Sequence, residues 1–154
     1  MIILVNNKTL HNLIWIPIFL IGLVTVLLGV GWLFYPEPWI LDRAPNEFIL
    51  KTSFKELFAA DINHHLPDYL KMIYRFFGWW VVSIGLLLLT YVYVTRIGTR
   101  LARNAIHTMI TIVLSGVYLM IFLFIPTTLF LYGIYSMTTL LLLSLWASKQ
   151  INQS

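Results

Sequence analysis

Four long apolar runs divide the chain, at 13–35, 76–95, 105–125 and 127–147, and none contains Asp, Glu, Lys or Arg. Each is 20 to 23 residues long. A helix rises about 1.5 Å per residue and the hydrocarbon core of a bilayer is about 30 Å thick, so about 20 apolar residues cross it. The pattern therefore predicts four transmembrane helices in a single integral membrane domain, 1–154. The third and fourth runs are joined only by Phe124-Ile125-Pro126-Thr127-Thr128. So short a turn makes them antiparallel neighbours, with Pro126 in the first turn of the fourth helix, where its missing N–H is harmless.

Only the segment 36–68 is patterned like a soluble protein. Pro36, Pro38 and Pro45 predict an extended, turn-rich passage out of the first span. Ser53 stands three residues before Glu56, the spacing of a capping box, and Phe54, Leu57 and Phe58 then share a face. That predicts a short amphipathic helix, lying on the membrane or capping the bundle. His65-Leu66-Pro67-Asp68 marks a further helix start, with Pro67 near the first turn and Asp68 at the positive helix end. The expected fold is all-α: an up-down-up-down four-helix transmembrane bundle, with a longer extracytoplasmic loop at about 36–68.

Composition agrees. The chain is 60% hydrophobic and 10% charged, against about 25% charged residues in soluble domains. Cysteine is absent, which excludes disulfides, thiolate metal sites and Cys nucleophiles. The net charge of +4 is read as a topology signal and not as a nucleic-acid surface. All six acids lie between Glu37 and Asp68, whereas Lys8, the Arg96–Arg100–Arg103 group and Lys149 flank the spans with no acid among them. Lys and Arg mark the cytoplasmic side. Both termini and the Arg-rich loop are therefore expected to be cytoplasmic, although Lys71 and Arg75 fall on the outer side. The first run is too long for a signal-peptide core and ends in Trp32-Leu33-Phe34-Tyr35-Pro36, so it is read as a retained helix.

Gly22/Gly29 and Gly78/Gly85 share a seven-residue spacing, which puts each pair on one helix face. Helices in lipid associate by close packing at small residues, so the first two spans are expected to meet through these glycines. Trp15, Trp32, Tyr35, Trp39, Trp79, Trp80, Tyr91, Tyr93 and Trp146 cluster near span ends and are read as interfacial rings.

Candidate chemistry is sparse. Asp61, His64, His65 and Asp68 form the densest polar cluster, a candidate metal site because Asp61 stands three and four residues before the two His. A solvated loop with helix-capping acids is the competing reading. Arg75 and Trp79 are candidate ligand-binding residues at an outward-facing mouth; snorkelling or ion pairing of Arg75 competes. His107 is read as an interfacial side chain bonded to water or backbone. No acid lies in any span, which argues against carboxylate-based proton coupling and leaves a Ser nucleophile without its orienting pair.

Gly29-Val-Gly31-Trp-Leu-Phe-Tyr-Pro36, Arg75-Phe-Phe-Gly78 and Ser83-Ile-Gly85-Leu-Leu-Leu-Leu resemble the glycine-bearing first and second helices of small bacterial four-helix membrane proteins of the DoxX-like kind. The resemblance covers the spans only, and the 36–68 loop is longer than that group leads one to expect. It implies a compact bundle in a bacterial plasma membrane, an accessory subunit or small-molecule binder, and no catalytic residues. Three functions follow in order. The first is a non-enzymatic accessory or interaction subunit, with a membrane-protein partner or a second copy. The second is binding or transport of a lipid, quinone or other hydrophobic molecule, and the third a metal-dependent membrane enzyme.

Overall fold

The computed structural model describes residues 6–124 and 129–152; the Pro126 turn lies outside them. All regular structure among these residues is helical. Four helices are long and apolar enough to cross a bilayer. In chain order the α-helices are α1 (Asn7–Phe34), α2 (Arg43–Leu50), α3 (Phe54–Ala59), α4 (Leu66–Thr95), α5 (Arg100–Phe124) and α6 (Leu129–Ile151). Single 3-10 turns at Pro38–Ile40 and Asp61–Asn63 punctuate the segment between α1 and α4.

Local chemistry sets the boundaries. Asn6 caps α1 by accepting from the Lys8 N–H at 3.0 Å, so the helix starts six residues before the apolar run. Leu66 opens α4, with Pro67 and Asp68 in its first turn. At the far end of α4, Arg96 and Ile97 both take left-handed conformations, with φ of 51°. Thr99 then caps α5 through its hydroxyl, which accepts from the Ala102 N–H at 3.1 Å.

The tightest contact lies between α1 and α4. A Cβ on Gly29 would sit 2.6 Å from the Val82 nitrogen and 2.7 Å from the Gly78 oxygen. A Cβ on Gly78 would sit 2.8 Å from the Gly29 oxygen, and one on Gly85 2.8 Å from the Val26 nitrogen. Gly22 faces Leu89. The backbones therefore touch, and the pairing of Gly29 with Gly78 and of Gly22 with Gly85 makes the two helices antiparallel. Gly31 has room for a side chain.

On its other side α1 packs against α6, which in turn carries α5. Leu10, Ile14, Ile18 and Ile21 of α1 form one core with Val92, with Ile97, Ile106, Ile110 and Leu114, and with Leu141 and Ala147 of α6. Outward from it, Leu87, Ile112, Phe122 and Leu142 are exposed, the arrangement expected where hydrocarbon is the solvent.

The segment between α1 and α4 differs from the extended passage that its prolines predict. Pro38 opens a 3-10 turn and Pro45 lies in the first turn of α2. The first four N–H groups of a helix have no intrahelical acceptor, so proline costs little there. Lys51 ends α2 in a left-handed conformation, φ 58°. Ser53 and Glu56 form reciprocal capping bonds at the start of α3. Glu47 of α2 accepts from the Phe54 N–H at 3.0 Å and so ties α2 to α3. Trp39, which its position predicts as a headgroup-level ring, is instead buried against Phe54 and Phe58, with ring centroids 6.4 and 5.5 Å away. Those partners come from α3, which is how an aromatic near a span end acquires a protein neighbour in place of lipid.

Candidate functional site

The segment 43–65 forms a cap over the start of α4, and a polar clasp holds it there. The Tyr74 hydroxyl of α4 donates to Asp42 Oδ1 at 2.9 Å. Asn46 of α2 donates from Nδ2 to the Tyr74 oxygen at 2.7 Å and to the Asp42 carbonyl at 2.9 Å. Burial pushes the Asp42 carboxyl up to about 6, against the lowering effect of the Tyr74 and Asn46 hydrogen bonds. Glu47 and Glu56 are moved the other way, Glu47 chiefly by the Phe54 N–H and Glu56 chiefly by the Thr52 hydroxyl.

Behind the clasp lies a pocket of about 220 Å³. Ile49 and Leu50 of α2, Phe54 and Leu57 of α3, and Leu66 and Leu70 of α4 wall it, while Asn46 and Tyr74 supply its polar groups. The pocket is half open, with Ile49 and Leu50 47% and 45% exposed, and its size would cover only part of a hydrophobic ligand. Its lining residues include no Ser, Thr, His, Asp, Glu, Lys or Arg.

The sequence candidates fall elsewhere. Arg75 and Trp79 are exposed on α4, Trp79 by 58%, and do not line this pocket. Tyr74, one residue before Arg75, does. Asp61, His64, His65 and Asp68 are all exposed. The two His rings meet edge-on with centroids 4.9 Å apart. Asp61 begins a 3-10 turn and Asp68 belongs to α4. Among the described residues no three His, Asp or Glu side chains gather into a metal-holding group. Gly22, Gly29, Gly78 and Gly85 are buried between α1 and α4.

A second polar group lies at the other end of the bundle. Arg103, His107, Ser144 and Ser148 are all buried, Arg103 at 6% and Ser144 at 0% exposure. The Ser144 hydroxyl donates to the Ile14 carbonyl at 2.7 Å. That commits its one proton, so it must accept at His107 Nε2, 2.8 Å away, and Nε2 carries a hydrogen. His107 is thus bonded through Nε2 to a side chain of α6, and three helices meet at one hydroxyl. The sequence signal for this group is its spacing. Arg103, His107, Ile110 and Leu114 recur at four, three and four residues along one face, and Ser144 and Ser148 stand one turn apart.

Comparison of the chain with protein-family models, with curated proteins and with solved structures gives no match, so geometry alone carries the functional reading.

Proposed function

We propose that the chain is a non-enzymatic integral membrane protein that binds the apolar part of a lipid or other hydrophobic small molecule beneath its 43–65 cap. The observation that carries this reading is the pocket, walled by Ile49, Leu50, Phe54, Leu57, Leu66 and Leu70 and bounded by Asn46 and Tyr74. The proposed topology is up-down-up-down, with the cap extracytoplasmic and both chain ends cytoplasmic. Two things support it: the acid-free basic flanks, and the Ser144–Ile14 and Arg103–Asn152 bonds, which gather residues near both termini at one end. The four glycines face each other's helices within the chain and so lend the accessory-subunit reading no support.

Photolabelling tests the proposal. A diazirine fatty acid is added to the protein in nanodiscs, and the labelled peptides are mapped by mass spectrometry. The expected label falls on residues 46–74, and Leu57→Trp, which fills the pocket, reduces it about tenfold or more, equivalent to about 1.4 kcal/mol of lost affinity. Undiminished labelling of that segment in Leu57→Trp would remove the pocket from the function.

A further inference from the structure

Arg103 is a buried cation with no anionic partner among the described residues. Two of its N–H groups are bonded, both to neutral acceptors: Nη1 to the Gly98 carbonyl at 3.0 Å, and Nη2 to the side-chain oxygen of Asn152. Nε is buried and has no partner. Of the five guanidinium N–H groups, three are unpaired among the described residues. No acidic side chain can relieve this, because none precedes Glu37 or follows Asp68 in the sequence, and all six belong to the segment at the far end of the bundle. The charged side chains nearest in sequence to Arg103 and to Asn152 are themselves positive. Arg100 is exposed one turn before Arg103, and Lys149 is exposed one turn before Asn152. Arg103 also lies in the first turns of α5, where the helix dipole adds positive potential.

A buried charge is tolerated when it is paired, and unpaired it is strongly destabilising. Among the described residues no group of the missing sign meets Arg103, which leaves room for an acceptor from outside the chain. Asn152 shows where it would sit. It lies just past the end of α6, it is exposed, and its neutral oxygen occupies the place in front of Nη2. Moving it aside disturbs no helix. Hydrogen bonds between arginine and an ionised oxygen are about twice as strong as those to a neutral one, and the guanidinium fork fits two oxygens of a phosphate.

We propose that a phosphate-bearing anion, such as the headgroup of an anionic lipid, binds Arg103 between the first turn of α5 and the end of α6, in the place that Asn152 now takes. Arg100 and Lys149 complete the positive rim of this site. The proposal is independent of the pocket beneath the cap.

Thermal unfolding of the full chain in a neutral detergent tests it, with a C-terminal extension that keeps any terminal carboxylate away from Asn152. Phosphatidylglycerol, diacylglycerol with the same chains, and inorganic phosphate are added separately. Phosphatidylglycerol is expected to raise Tm by about 3 °C or more, and diacylglycerol is not. A rise with inorganic phosphate as well identifies a free anion as sufficient; a rise with the lipid alone identifies the headgroup in its membrane setting. Asn152→Asp supplies a carboxylate at the same place. It is expected to raise Tm without lipid and to cut the lipid response at least threefold. Arg103→Gln should abolish the response, and Asn152→Asp decides the matter if that variant does not fold. Absence of any response to either phosphate compound overturns the proposal, and so does a full lipid response in Asn152→Asp.

Discussion

The clasp residue Asp42 ties the cap to the pH of its surroundings. Its carboxyl titrates at 3.8 when unperturbed and is pushed up to about 6 in the fold by burial. Folding therefore favours the protonated form. The stabilisation from this group is complete below pH 3.8 and is lost as pH rises through about 6. Thermal unfolding across pH 4–8 should show wild-type Tm falling relative to Asp42→Asn, which cannot ionise; parallel curves for the two proteins would refute this. Tyr74→Phe removes a hydrogen bond that lowers the Asp42 value, so the midpoint of the difference curve should move to higher pH. Another residue departs from local preference outright. Ile97 is β-branched, fully buried and left-handed at φ 51°, a conformation that costs of the order of 1–3 kcal/mol. Neighbouring Gly98 has no positive φ. The glycine that marks a turn in the sequence is thus not the residue that makes it, because packing of Ile97 into the core outweighs backbone preference.

At the scale of elements, α1 and α4 are held by contacts that leave no space for a methyl group. Gly29→Ala puts a Cβ against two backbone atoms of α4, the Val82 nitrogen and the Gly78 oxygen. Neither can rotate away as a side chain can, so the helices must separate. A loss of about 1–3 kcal/mol is expected in an SDS-driven unfolding titration. Gly31→Ala and Gly116→Ala are the controls. The first meets only Leu41 at 3.6 Å and the second meets nothing within 4 Å, so both should stay within about 0.5 kcal/mol of wild type. Equal losses at all three positions would show that the α1–α4 contact does not govern the effect, since alanine's higher helix propensity favours the variant at each of them. The same scale explains α2. Proline reads as a breaker in sequence, yet Pro45 occupies the one stretch of a helix where its missing donor goes unnoticed.

For the whole molecule, the four long apolar helices were legible from run length alone, whereas most of their packing was not. In water a core side chain is apolar and a surface one polar, so periodicity reveals the inner face. In lipid both are apolar. Ile110, buried, and Ile112, exposed, are the same residue type two positions apart. Only small and polar residues can mark a contact there. The glycines do so between α1 and α4, and Arg103, His107 and Ser144 do so between α1, α5 and α6. A single histidine in an apolar run is a weak signal until its partner 37 residues away is known. The pocket was hidden for a related reason, since Asn46 belongs to a helix that the prolines disguise and Tyr74 precedes the charged residue that draws attention.

These two kinds of joint meet the same helix at different heights, and that makes their independence measurable. Ser144→Ala leaves the His107 Nε2–H buried without an acceptor, a loss of about 1–3 kcal/mol. The affected end of α1 is at Ile14, whereas Gly29 is fifteen residues further along, about 22 Å. Perturbations that far apart with no shared partner add within about 0.5 kcal/mol. Gly29→Ala combined with Ser144→Ala should therefore show the sum of the single losses in the same SDS titration. An interaction energy above about 1 kcal/mol would mean that α1 moves as a rigid rod, so that parting it from α4 also strains its seat on α6. The buried hydroxyl would then report on the state of the cap end, and the two ends of the bundle would be mechanically coupled through one helix.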